Sequence, residues 1–259
     1  ASRAVQGVGG PLMAALTLLT NNDTVASGLL LVGDVVLAAK LGPHDTLVSV
    51  IERPRLYEAL SRGVRGPLTL VSAPAGTGKT TLVRSWVDAG GAFGDLAWVT
   101  LDDADARPGV FWTYVRAALG RSGVEALPVE RSARRGQVSR IFLGELAGCL
   151  SRHPQPVTLV LDNAESLVDH AVWTDLAFLI THAGPALRTV VSTRVDPPMP
   201  TQRYRIDADL VELRFADLAF TSSEAGALIE QHGVSLSPHS VDALTRRTGG
   251  WAAALRLGP

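Results

Sequence analysis

The stretch VSAPAGTGKTTLV at residues 71–83 leaves this chain little choice of fold. An apolar run, LTLVS at 68–72, leads into a glycine-containing turn, and a helical pattern starts at Gly78. Gly78, Lys79 and Thr80 fill the last three places of the phosphate-loop pattern G-x-x-x-x-G-K-[ST]. Ala73 stands where the leading glycine would be. That place needs only a small side chain, while Gly76 and Gly78 keep the freely turning positions. A plain glycine turn would not require Lys-Thr at this offset. In such a unit the backbone N–H groups of residues 75–79 aim at an anion, and the helix dipole adds to the attraction. The candidate nucleotide contacts are therefore Pro74, Ala75, Gly76, Thr77, Gly78, Lys79, Thr80 and Thr81. Lys79 would pair with the β- and γ-phosphates of ATP, and the Thr80 hydroxyl would bind Mg2+.

Further apolar runs recur along the chain: DLAWVTL (95–101), VTLVLD (157–162), RTVVSTR (188–194) and DLVELRF (209–215). Helical patterns lie between them, at 108–120, 139–153 and 171–183. Strands that are apolar throughout and alternate with helices predict an α/β fold. The expected architecture is a parallel five-stranded sheet covered by helices on both faces. Residues 121–137, rich in Arg and Gly, read as a connection. Past Phe220 the strand pattern stops. Thr221 or Ser222 caps a helix with Glu224 in its first turn, and two further helical patterns follow. The predicted organisation is an apolar extension at 1–35, a nucleotide-binding domain at 36–220 and the start of a helical domain at 221–259.

The balance of 24 Lys+Arg against 25 Asp+Glu gives a net charge of −1, which argues against nucleic-acid binding by bulk charge. The single cysteine, Cys149, cannot form an internal disulfide, and a reducing, cytoplasmic setting is expected. Its apolar neighbours suit a buried small hydrophobe. Residues 4–22 carry no charge, close to the roughly 20 residues that span a bilayer. Residues 2–20 also resemble a transmembrane helix of major-facilitator drug transporters. The alternative is a glycine-rich apolar helix packed on the next domain. Ala1 replaces a starting methionine and RLGP follows an apolar helical pattern, so a piece of a longer protein is expected.

A metal-holding acid is expected at the end of a buried strand, and VTLVLD supplies Asp162. Asp162 and Thr80 are thus the candidate Mg2+ ligands; a carboxylate capping the next turn is the other reading. The next residue, where an acid would orient the attacking water, is Asn163. Its amide is a poor base at neutral pH. Glu165, two residues on, is the candidate replacement. Arg194 ends the fourth apolar run, where its guanidinium would sense a γ-phosphate. A surface arginine is the alternative.

Taken together, these segments resemble the ATPase module of the large LuxR-type (MalT-like) transcriptional regulators, of the STAND class of signal-transduction ATPases. LAAKLGP, ERPRLYEAL, GPLTLVSAPAGTGKTTLVRSW, LVLDN, VVSTRVDPP, ELRFADLAFTSSEA and RTGGWAAALRL occur in the family's order from about residue 36 to 259. The resemblance implies that Arg53 lies beside the adenine, although Glu52 replaces the glycine that usually precedes it. It implies that Gly250 and Trp251 form a nucleotide-contacting turn, with Ala252 in place of the usual proline. Asn163 departs from the family's acidic pair, which weakens the expectation of hydrolysis but not of binding. The implied role is an ATP/ADP switch with slow or no hydrolysis. ADP would hold it closed; ATP, with an inducer of unknown identity, would open it and allow self-association. DNA contact would come only through a domain beyond Pro259. A fast ATPase, a nucleotide-holding scaffold and a membrane-tethered sensor are the rival readings.

Overall fold

The apolar runs become five strands in the computed structural model, which describes residues 36–42, 50–130, 138–207 and 209–257. They are β1 (Leu68–Ser72), β2 (Asp95–Thr100), β3 (Val157–Asp162), β4 (Leu187–Thr193) and β5 (Leu210–Leu213). All pair in parallel, in the order β2-β3-β4-β1-β5. The predicted ends hold within a residue or two, except at β5. Among the described residues that edge strand pairs only with β1, and it stops at Leu213 because Arg214 already caps the next helical turn.

Side chains on a strand alternate between faces, so two cores form. Leu68 and Leu70 of β1, Leu159 and Leu161 of β3 and Val191 of β4 enter one core. Helices α3 (Pro108–Arg121), α4 (Arg140–Arg152) and α5 (His170–Ala183) close it with Phe111, Trp112, Leu143 and Trp173. Val71, Val160, Val190 and Trp98 face the other way. There α1 (Pro54–Gly63) and α2 (Lys79–Asp88) supply Leu56, Leu60, Leu82, Val83 and Trp86. The Trp86 indole donates to Ser61 Oγ at 3.0 Å, which ties the two helices together.

The sequence reading assigned no helix at α1, although Pro54 marks its first turn and Leu56, Ala59, Leu60 and Gly63 recur at helical spacing. Two short helices were likewise not anticipated: α6 (Thr201–Ile206) and α7 (Phe215–Leu218). Each is too short for a 3.6-residue apolar period to show. Beyond them α8 (Ser222–Gln231), α9 (Pro238–Thr248) and α10 (Ala252–Leu257) share a third apolar cluster of Ala225, Leu228, Ile229, Val241 and Leu255. Thr221 caps α8 in a reciprocal pair with Glu224, one of the two caps the pattern offered. Cys149 is buried. The apolar segment at 1–22, the rest of the extension to 35, and residues 131–137 of the Arg-rich connection lie outside the described residues. Among the described residues no helix is long and apolar enough to cross a membrane.

Candidate functional site

Register brings the candidate residues to one end of the sheet. Ser72 pairs with Thr193, Leu161 with Val191, and Thr100 with Asp162, so β1, β4 and β3 end level. The loop after β1, the acid ending β3 and the arginine after β4 therefore share the carboxyl edge, where parallel sheets bind ligands. Because β4 sits between β1 and β3, the strand that Arg194 follows ends between the strands that carry the loop and Asp162.

The loop has the backbone of an anion cradle. Gly76 and Gly78 take left-handed φ values of 72° and 84°, which side chains resist. Gly78 then starts α2. Lys79 is buried, and its ammonium donates to the carbonyls of Ala73 at 2.7 Å and Pro74 at 3.1 Å. Thr77 Oγ1 closes the turn by donating to the same Pro74 carbonyl at 2.9 Å. Ala73 is buried, and its N–H donates to Thr193 O at 3.2 Å, extending the β1–β4 pairing into the loop. Burial lowers the Lys79 pKa, Glu165 opposes that, and Arg194 adds to it. The three charged side chains thus share one local field.

Asp162 is wholly buried. Thr80 Oγ1 donates to its Oδ1 at 3.1 Å, while Oδ2 has no hydrogen-bond partner among the described residues. Ser192 Oγ lies near enough to favour the charged carboxylate but outside hydrogen-bonding geometry. Burial is the larger effect and pushes the Asp162 carboxyl above the usual aspartate range. A buried carboxylate oxygen without a partner, beside a threonine hydroxyl, fits a hard cation with oxygen ligands such as Mg2+. No cluster of three or more His, Cys, Asp or Glu able to hold a metal occurs among the described residues. One carboxylate and one hydroxyl suit Mg2+, which commonly takes its remaining ligands from water and substrate phosphate.

The raised carboxyl sets a pH dependence. A carboxyl held above its ordinary range takes up its proton sooner as pH falls, and the proton competes with Mg2+. Mg2+-dependent nucleotide affinity is expected to decline at a pH above the ordinary aspartate range. Asp162→Asn should remove both the metal effect and this decline. Calorimetric titrations with and without Mg2+, from neutral pH into acid, check it.

Asn163 adopts a left-handed conformation, φ 58° and ψ 40°, at the start of the short turn Ala164–Ser166. Asn is among the few non-glycine residues that tolerate this. The turn carries Glu165 to Arg194. Arg194 Nε contacts Glu165 Oε1 at 2.7 Å, and the Arg194 N–H donates to Oε2 at 3.2 Å. Both carboxylate oxygens of the candidate base are thus engaged by the candidate sensor.

A cavity of about 270 Å³ opens beside Gly76 and Gly78, between α2 and α10. Val50, Ile51, Phe220 and Leu228 give it apolar walls, and Arg53 and Arg256 give it two guanidinium groups. Arg53 is buried; its Nη1 donates to Leu218 O at 2.9 Å and the group lies over the Phe220 ring. Burial brings its pKa down to about 10, so it is still cationic at neutral pH. Trp251 donates from Nε1 to Ala75 O at 3.1 Å, and the Ala253 N–H donates to Gly76 O at 3.0 Å. Gly250 and Trp251 are not among the cavity's lining residues, whereas their neighbours Ala252, Ala253 and Arg256 are. The sequence reading missed Val50, Ile51, Ala253 and Arg256. Small and apolar residues carry no chemical signature, and only the one-turn spacing of Arg256 from Ala252 gave a signal.

No protein-family model matches the chain. The HTH-type transcriptional regulator MalT of Serratia proteamaculans is 31% identical over 227 residues, 86% of this chain and 25% of that protein. The chain is homologous to one segment of the MalT regulators. The serine/threonine-protein kinase PknK of Mycobacterium tuberculosis is also 31% identical, over 225 residues, 85% of this chain and 20% of PknK. The chain thus spans a fifth to a quarter of these relatives, and the segment shared with MalT recurs in a protein named as a kinase. Among solved structures, Drosophila ORC, solved bound to DNA, overlays at a TM-score of 0.52 with 16% identity, covering 96% of this chain and 63% of that one. That likeness is one of fold alone.

Proposed function

We propose that the chain is the ATP- and ADP-binding switch module of a larger LuxR-type regulator. One observation carries this reading: the carbonyls of Ala75 and Gly76 in the phosphate loop are hydrogen-bonded to Trp251 and Ala253. A ligand in the loop therefore acts on backbone that also holds α10. The nucleotide-binding unit is taken as 36–220 and the helical unit as starting at 221. Phosphates would lie on residues 74–81, with the base and ribose in the adjoining cavity near Arg53. Thr80 and Asp162 would hold Mg2+, which when bound offsets phosphate charge. Arg194 would meet the terminal phosphate, giving up Glu165 in part to do so.

Slow turnover follows from the same groups. Asn163 cannot accept a proton, and both carboxylate oxygens of Glu165 are already engaged by Arg194, which leaves Glu165 poorly placed to take one from water. In this reading ADP is retained with α8–α10 docked, and ATP loosens them. Self-association and DNA contact would then depend on parts of the protein outside this chain. A fast ATPase would need a competent acid beside Asp162, where Asn163 stands. A passive scaffold would bind ATP and ADP with the same consequence.

Denaturing the purified protein and separating what it releases by chromatography tests the proposal. ADP is the expected product. ATP alone would mean binding without turnover, and absence of nucleotide together with no calorimetric binding would remove the proposal. Asn163→Asp is the companion variant, since Asp tolerates the left-handed conformation about as well as Asn. Turnover is expected to rise at least about tenfold if the missing acid limits it; an unchanged rate would locate the limit elsewhere.

A further inference from the structure

The segment after β4 is anchored at a residue that the nucleotide site does not itself use. Asp196 lies two residues past Arg194. Ser72 Oγ, at the end of β1, donates to Asp196 Oδ1 at 2.8 Å. Arg214, just past β5, grips the same carboxylate with both ends of its fork, Nη1 to Oδ1 and Nη2 to Oδ2 at 3.0 Å. Arg214 also pairs with Glu212 at 2.7 Å, and Glu212 pairs with Arg205 of α6 at 2.7 Å. The Arg214 N–H donates to Asp217 in the first turn of α7, and the last carbonyl of α7, Leu218 O, receives the Arg53 guanidinium.

We infer that Asp196 is a positioning residue for Arg194: clamped between Ser72 and Arg214, it sets where the Arg194 guanidinium stands and joins that point to α7 and the Arg53 side of the cavity. This rests on the reading of Arg194 as the group that meets the terminal phosphate. An isolated exposed ion pair would do little. This one is forked, shares a hydroxyl and belongs to a network, the geometry in which such pairs hold a shape. The Arg214 fork also keeps the Asp196 carboxyl below its usual range. Between Arg194 and Asp196 the backbone is turned by Thr193, whose Oγ1 donates to Val195 O at 2.8 Å. With one side of the loop fixed by Glu165 and the other by Asp196, Arg194 has a short tether.

The sign of the effect separates positioning from charge. Removing a carboxylate near the phosphates would by its field alone favour ATP over ADP, because ATP is the more anionic. Loss of positioning does the reverse. Calorimetry with Mg2+ on the whole chain, comparing ATP and ADP, is the measurement. Asp196→Asn is expected to lower the ATP-over-ADP preference about fivefold while ADP affinity holds. Arg214→Lys keeps the charge but cannot fork, and should lower the preference in the same direction. Asp196→Asn added to Arg194→Ala should lower it no further than Arg194→Ala alone. A preference that stays level or rises in Asp196→Asn, while Arg194→Ala lowers it, overturns the inference and leaves the proposed function standing. A level preference in Arg194→Ala overturns the reading of Arg194 and the inference with it.

Discussion

Lys79→Ala is expected to weaken ADP and ATP binding at least about a hundredfold, the equivalent of losing two charge-assisted hydrogen bonds. The Lys79 ammonium is buried at the mouth of a loop whose other polar contributions are backbone N–H groups and hydroxyls. It also binds the Ala73 and Pro74 carbonyls, so the truncation leaves two loop acceptors without their cation. An arriving phosphate would offset the desolvation that lowers the Lys79 pKa, which makes this charge worth more to an anion than an exposed lysine would be. Arginine is not a substitute, because its larger planar group does not fit a site made for a compact ammonium. Calorimetry with ADP and Mg2+ reads the loss, with a melting curve to show that the variant folds. Micromolar affinity surviving in a folded Lys79→Ala protein would sink the phosphate-loop assignment.

Gly250→Ala is expected to lower the melting temperature by about 5–10 °C, from roughly 2–4 kcal/mol of strain. Gly250 has φ 70°, and a Cβ there would lie 2.6 Å from Phe220 O and 2.7 Å from Phe220 N. Neither is the tip of a flexible side chain; the backbone itself must move. The Phe220 N–H donates to Gly250 O at 2.9 Å, so the same shift strains the bond that seats the turn. Trp251 and Ala253 follow directly, and with them the contacts to Ala75 and Gly76. Nucleotide affinity should fall together with stability. Gly249→Ala is the control: φ is 59°, but a Cβ there meets nothing within 4 Å among the described residues. It carries the backbone cost alone, about 1–2 kcal/mol. Equal losses in the two variants would show that the close approach to Phe220 has no special part in docking α10.

The elements of this protein were legible because their signals are local. Each strand is a short apolar run whose ends are marked by glycine, proline or charge, and the phosphate loop is contiguous in the chain. The cap at Thr221 is equally local, needing only Glu224 three residues on. Helices α6 and α7 escaped because one or two turns cannot display a period. Sequence could also name Asp162, Glu165 and Arg194 as candidates by their places at or near strand ends.

What it could not supply was who stands beside whom. The chain order of parallel strands does not fix their order in space, and only the folded sheet inserts β4 between β1 and β3. That insertion brings the end of β4 between the ends of β1 and β3, and lets Arg194 bind Glu165, 29 residues away. Trp251 reaches Ala75 across 176 residues, and Arg53 reaches the Leu218 carbonyl across 165. Such pairings depend on register and helix packing, which are properties of the assembled layers. The sequence by itself determined the strand–loop–helix chemistry, because backbone conformation and anion affinity are settled within a dozen residues. The tertiary structure alone decided which charges meet, because those meetings follow from the order and level of strand ends that no local pattern encodes.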